Sequence, residues 1–229
     1  VMRYIQDLLE YYGGVEEHNG LNNMTTDWST SEAVTKAFAK FKEWEQKGYF
    51  NEGFLTEDPN DCRMYLYNGT CAMIIDSPTM ASQIVNAQQD SSLYSFFAFP
   101  TESNGDGTGR MAAYVKMTQV NKNVTDAQLD AIVKFWDFYY NPDENPEFSH
   151  IEQPIAIKGA VLPETLSIAN GVMELMDASG IYTQMDQALP AQVADQMFAA
   201  QDSVVIGDMK PEDVGASVET AIKTYQAEN

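Results

Sequence analysis

The chain has 229 residues, with 34 Asp and Glu against 13 Lys and Arg, and a formal net charge of −21. Its 44% apolar and 11% aromatic residues suffice for a sizeable core, so the charge does not imply disorder. Binding nucleic acid or an anionic membrane surface needs clustered Lys and Arg, and the sequence has no such cluster.

The predicted elements follow in chain order. Residues 1–12 read as a short amphipathic segment stopped by Gly13-Gly14, and the polar stretch 15–29 reads as a loop. Residues 29–31 offer Ser and Thr as caps for a helix in which Val34, Ala37, Phe38, Phe41 and Trp44 recur at helical spacing, with Lys47-Gly48 as its stop. A short helix is expected over 58–67, then a buried strand over 71–75, a helix over 79–88 and a second strand over 94–99. Residues 101–109 form a Gly, Ser, Asn and Asp loop, and 111–120 a loosely alternating strand. Thr125 and Gln128 have capping-box spacing before a face of Leu129, Ile132, Val133, Trp136, Tyr139 and Tyr140. The Pro-punctuated region 141–160 is irregular, and helices follow at about 163–178, 189–203 and 211–227. The last carries Val214, Val218, Ala221, Ile222 and Tyr225 on one stripe. Trp44 and Trp136 sit on apolar faces and read as core. Many helices with a few short strands indicate an α/β class with a helix-heavy layer.

Catalytic and metal patterns are sparse. The histidines, His18 and His150, stand in no His-Glu-x-x-His pattern, and no Gly-x-Ser-x-Gly turn occurs. The run Gly105-Asp106-Gly107-Thr108-Gly109-Arg110 lacks phosphate-loop spacing, and an acid within it repels phosphate. Asn104, Asp106 and Thr108 echo a calcium loop, but Val115 stands where its closing Glu belongs. No metal or cofactor is expected. Cys62 and Cys71 fit no zinc or redox spacing; buried thiols and a disulfide both stay open. A pair among the many carboxylates would suit glycoside hydrolysis, but the sequence selects none. Asn23, Asn68 and Asn123 head glycosylation sequons. Tyr4, Tyr11, Tyr12, Trp28, Tyr49, Tyr114 and Tyr182 lie at predicted segment ends or in loops, where a ring with a polar tip can stack on a sugar and hydrogen-bond it.

The order of motifs is more specific. Phe41-Lys42-Glu43-Trp44-Glu45-Gln46-Lys47-Gly48-Tyr49-Phe50 precedes Tyr67-Asn68-Gly69-Thr70-Cys71-Ala72-Met73-Ile74-Ile75. Then come Phe99-Pro100, Asn121-Lys122-Asn123 and Gly207-Asp208-Met209-Lys210-Pro211-Glu212-Asp213. In this arrangement the chain resembles the extracellular solute-binding proteins of ABC importers, the family that includes maltodextrin binders. The resemblance implies a periplasmic-binding-protein-like (type II) α/β fold, whose two lobes close on a solute. It places 1–117 and 163–229 in the helix-rich C-terminal lobe and 118–162 in a returning N-lobe segment. It further implies that the first N-lobe passage is absent, and with it any signal peptide or lipid-anchor cysteine, so that the chain is a truncated or processed piece.

Carried over by position, the family's sugar-contacting turn falls on Ile75-Asp76-Ser77-Pro78-Thr79, with Thr79 where the family commonly has Trp. Asp76, Ser77 and Thr79 are then hydrogen-bonding groups for solute hydroxyls. Arg3 and Tyr4 match an aromatic contact of the maltodextrin binders, and Phe198 falls in a stacking region. Arg110 and Tyr114 lie by a strand that approaches the cleft, and Trp28 is a loop aromatic. The implied role is non-enzymatic capture of a mono- or oligosaccharide, delivered to a membrane permease. The full-length protein would be monomeric, extracellular or periplasmic, and lipid-anchored. The alternatives are an exported glycan-cleaving enzyme using two carboxylates, and a scaffold or adhesin module that reuses the fold.

Overall fold

The computed structural model describes residues 2–100, 109–114, 118–141 and 167–229. The expected loop at 101–108, the end of the expected strand at 115–117, and 142–166 with His150 lie outside the described residues. Two compact units emerge: Val1–Ile75, Ala98–Tyr114 and Met176–Asn229 form the first, and Asp76–Phe97 with Val115–Leu175 the second.

The first unit is built on helices α1 (Met2–Asn22), α2 (Glu32–Gln46), α3 (Pro59–Tyr67), α7 (Met185–Ala188), α8 (Ala191–Ile206) and α9 (Pro211–Glu228), with strands β1 (Met111–Ala113) and β2 (Ile181–Thr183). Ser31 caps α2 by accepting from the Val34 N–H, and α2 buries Ala33, Val34, Ala37, Phe38 and Phe41. These meet Ile5, Leu8 and Leu9 of α1, Val193, Met197 and Val204 of α8, and Val214, Val218 and Ile222 of α9 in one core. No side chain caps α9. Pro211 at its first turn, with Glu212 and Asp213, supplies the start instead.

Several sequence expectations change here. The Gly13-Gly14 pair does not end α1. Gly14 takes φ +71° and ψ −175°, a kink open to glycine, and the helix resumes to Asn22. The expected polar loop is therefore largely helical, and His18, Leu21 and Asn22 are buried. Its polarity misleads because its inward polar groups find partners inside the protein. The runs 71–75 and 94–99 do not enter a sheet; Met73 and Phe97 are exposed, so apolar runs stand there without partner strands. The sheet instead pairs β1 and β2 in parallel, with Ala112 opposite Tyr182. β2 is not apparent from the sequence.

The second unit contains α4 (Met80–Asn86), α5 (Asp126–Tyr139) and most of α6 (Ser167–Ser179). The capping box of α5 is present: Thr125 Oγ1 accepts from the Gln128 N–H at 3.3 Å, and Gln128 Oε1 accepts from the Thr125 N–H at 2.9 Å. Yet α5 has no buried residue, and Trp136 is only half-buried rather than core.

Candidate functional site

The candidate residues separate between the units. In the second unit, Asp76, Ser77 and Thr79 share one half-buried turn. Asp76 Oδ1 accepts from the Ser77 N–H at 2.7 Å, and the Ser77 and Thr79 hydroxyls lie 2.5 Å apart. The Met80 N–H donates to the Ser77 carbonyl at 3.0 Å, and Ser82 Oγ to the Thr79 carbonyl at 2.9 Å. The turn thus presents two adjoining hydroxyls and a carboxylate, held in place by the start of α4.

In the first unit the candidates have different environments. Tyr4 lies among Phe41, Trp44, Phe50 and Phe99, with ring centroids 5.5 to 6.4 Å away. Burial, then the nearby Cys71, Asp7 and Cys62, raises its phenol above the ordinary value. Arg3 Nη1 donates to the Ile75 carbonyl at 3.3 Å. Phe198 is half-buried on α8 and packs against the core. Trp28, expected as an available loop aromatic, is instead fully buried. Its indole N–H donates to the Leu21 carbonyl at 3.2 Å and its backbone N–H to Glu219 Oε2 at 3.1 Å. α9 passes so close that a Cβ on Gly215 would stand 2.2 Å from the Trp28 carbonyl oxygen. Trp28 is a core residue that joins α9 to the segment before α2.

Arg110 also points inward. Its Nε and Nη2 donate to Glu10 Oε1 and Oε2, each at 2.7 Å, and Nη2 reaches Asn19 Oδ1 at 3.2 Å. The guanidinium carbon lies 5.5 Å from the Tyr182 ring centroid. His18 Nδ1 is 2.5 Å from Glu10 Oε2, while its Nε2 is buried without a hydrogen-bond partner among the described residues. Burial pushes the Glu10 carboxyl up, but the bonds from Arg110 and His18 outweigh it and bring it down to about 2. This network fastens α1 to both strands.

Tyr114 is the exposed aromatic of the set, 48% exposed, and it follows the carboxyl end of β1. In open α/β sheets, ligands bind outside the carboxyl ends of the parallel strands. The same end of β2 brings residues that the sequence reading missed. Asn22 Nδ2 donates to the Thr183 carbonyl at 3.0 Å, Asn22 Oδ1 is buried without a partner among the described residues, and the Gln184 N–H donates to the Ala113 carbonyl at 3.1 Å. No motif marks these residues; only the pairing of β1 with a three-residue strand brings them together.

A shallow groove of about 400 Å³ between α8 and α9 is lined by Gln192, Gln196, Ser217, Thr220, Ala221 and Thr224. Four of its five polar side chains are already engaged: Gln196 Nε2 with Ser217 Oγ, and the Thr220 and Thr224 hydroxyls with carbonyls of their own helix. Among the described residues, no group of three or more His, Cys, Asp or Glu is placed to hold a metal ion. Cys62 and Cys71 are free thiols. No described helix is long and apolar enough to cross a membrane.

The fold matches that of a solved chitin oligosaccharide binding protein with a TM-score of 0.77 and 17% sequence identity. The match covers 99% of this chain and 57% of that one, so the chain spans little more than half the length of its structural neighbour. At this identity the likeness establishes the fold, a helix-rich α/β binding-protein fold. No protein-family model matches the chain, and no curated protein does.

Proposed function

We propose that this protein captures a saccharide as the extracellular solute-binding component of an ABC importer and delivers it to a membrane permease. The observation that carries the reading is the extent of the structural likeness: 99% of the chain follows the fold of a protein named for binding chitin oligosaccharides. The chemistry of the two candidate patches supports it. The first unit offers an exposed tyrosine beside backbone and amide groups at a sheet's carboxyl end, and the second offers two hydroxyls and a carboxylate on one turn. Rings that stack on a sugar's C–H face and neutral groups that bond its hydroxyls are what saccharide recognition requires. Export, a lipid anchor, the type II lobe arrangement and a returning N-lobe segment over 118–162 belong to the same proposal and rest on the importer-family resemblance.

The test is a thermal-shift screen of the natural full-length protein against chitin oligosaccharides, N-acetylglucosamine, maltodextrins, other oligosaccharides and amino acids. A ligand at 100 times its dissociation constant stabilises by about 2.7 kcal/mol, a rise of several degrees for a chain of this size. A shift confined to one sugar series, lost in Tyr114→Ala or in Ser77→Ala, supports the reading. Absence of any shift in folded protein overturns solute capture and favours the scaffold alternative. Turnover of an added oligosaccharide favours the glycan-cleaving one.

A further inference from the structure

Asp7 and Glu10 stand three residues apart on α1, so their side chains share a face. Both are buried, at 6% and 0% exposure. Glu10 takes the nearby guanidinium: Arg110 bonds both its oxygens in a fork, and the His18 ring faces Oε2. Asp7 receives a neutral donor instead, the hydroxyl of Tyr182 on β2. That phenol is fixed in place, with the Arg110 guanidinium over its ring and the His18 ring against it at 4.5 Å between centroids. The core therefore holds two carboxyl groups around one guanidinium fork.

The other titratable groups do not redress this. On α1 itself, Arg3 attracts an ionised Asp7 less than Glu10 repels it, and Tyr4 lies close by. α7 contributes Asp186, another carboxyl with a buried oxygen that lacks a partner among the described residues. From α2, Lys40 and Lys36 act on Tyr12, further along α1.

We propose that the folded protein holds Asp7 as a neutral acid, and that the Asp7–Tyr182 pair is a latch fastening β2 to α1 whose burial becomes costlier when that proton leaves. With the proton in place, the pair is a neutral hydrogen bond in the core. Losing it leaves a second buried negative charge one helical turn from Glu10, a cost that the stronger phenol bond to the ionised acid offsets only in part. Tyr182 faces Ala112 in the sheet register, so the latch bears on the strand pair whose carboxyl end carries Tyr114. Burial, which lifts the Asp7 carboxyl to about 7 from an ordinary 3.8, agrees with this geometry. The sign follows from linkage. A folded-state carboxyl that binds its proton more tightly than the unfolded chain adds stability at low pH. That stability declines as pH rises from about 4 to about 7 and then levels off.

The experiment is an infrared pH titration of the whole chain, paired with melting curves from pH 5 to 8. The expected result is a protonated-carboxyl stretch at pH 6 that vanishes toward pH 8 and is missing in Asp7→Asn. The melting temperature of the wild type falls by several degrees more across this window than that of Asp7→Asn. Tyr182→Phe keeps the band and moves its midpoint to higher pH, because the lost phenol bond favours the ionised acid. Should Asp7→Asn fail to fold, the wild-type band and its displacement in Tyr182→Phe decide the matter. A wild-type spectrum without the band at pH 6, or a band unmoved by Tyr182→Phe, overturns the latch.

Discussion

Helices α2 and α5 are near equals as sequences. They have 15 and 14 residues, each starts at a side-chain cap, and each carries a stripe of large apolar residues. In the first unit, α2 buries Val34, Ala37, Phe38 and Phe41 completely against α1, α8 and α9. In the second unit, α5 buries nothing, and Phe135, Phe138, Tyr139 and Tyr140 are all exposed. Local signals form a helix in both places. Only the partners supplied by the rest of the fold make one of them core. An apolar stripe therefore records what a helix can bury, and the fold decides whether it does.

The largest test of that contrast is truncation of one ring on each helix. Phe41→Ala removes a fully buried ring that touches Tyr4, Phe50 and Phe54, and should cost about 3–5 kcal/mol in urea unfolding. Phe135→Ala, at a position 56% exposed, should change stability by no more than about 0.5 kcal/mol. Equal costs would mean that the α5 face is covered in solution and that the contrast fails.

Electrostatics divide in the same way. Arg110→Met leaves the Glu10 charge buried without its fork, and removing one partner of a buried pair costs about 3–5 kcal/mol. Glu43 is held equally low, at about 2, by bonds from Lys40 and then Lys47, but it lies on the surface of α2. For both acids the folded value is depressed, so their stability contribution is present above pH 4.5 and is lost as pH falls toward 2. High salt separates them. Acid unfolding measured in about 1 M salt should show a weakened Glu43 contribution, because exposed charges more than about 3 Å apart are then largely screened. The Glu10 contribution should persist there and disappear only in Arg110→Met.

What the sequence made legible was local. The Ser31 start of α2, the Thr125 and Gln128 box and the Val214, Val218 and Ile222 stripe all depend on residues within a few positions of one another. The turn that groups Asp76, Ser77 and Thr79 was singled out through the family resemblance instead. The Glu10, His18, Arg110 and Tyr182 network was not, since it joins charges up to 100 residues apart that look like ordinary surface groups. That network explains why the polar second half of α1 is an inner surface, and it engages Arg110, just before β1, with Glu10. Asn22 and Gln184 escaped notice because β2 is too short to show alternation.

A smaller effect isolates the cap from the packing. Thr125→Ala removes one side of the α5 capping box and should cost about 1 kcal/mol. Ser31→Ala should cost more than this, because Ser31 also donates to Glu17 Oε1 at 2.6 Å, a bond between α2 and α1. A cost at Thr125 as large as that at Ser31 would show that α5 is anchored by more than its own cap.

The smallest expected change in stability carries the sharpest test of exposure. Phe135 and Tyr139 stack 5.7 Å apart, with Tyr140 against Tyr139 at 5.0 Å, and so make an aromatic patch on α5. Patches of this kind bind hydrophobic dyes and favour self-association. The chain should enhance the fluorescence of such a dye while fully folded, and Phe135→Ser with Phe138→Ser should remove most of that signal without lowering the melting temperature. Phe41→Ser should do the reverse, lowering the melting temperature and raising dye binding as the core loosens. Folded protein that ignores the dye would place the α5 rings under cover and make the second unit as closed as the first. Dye binding that survives the α5 substitutions would move the open surface to another exposed ring, such as Phe97.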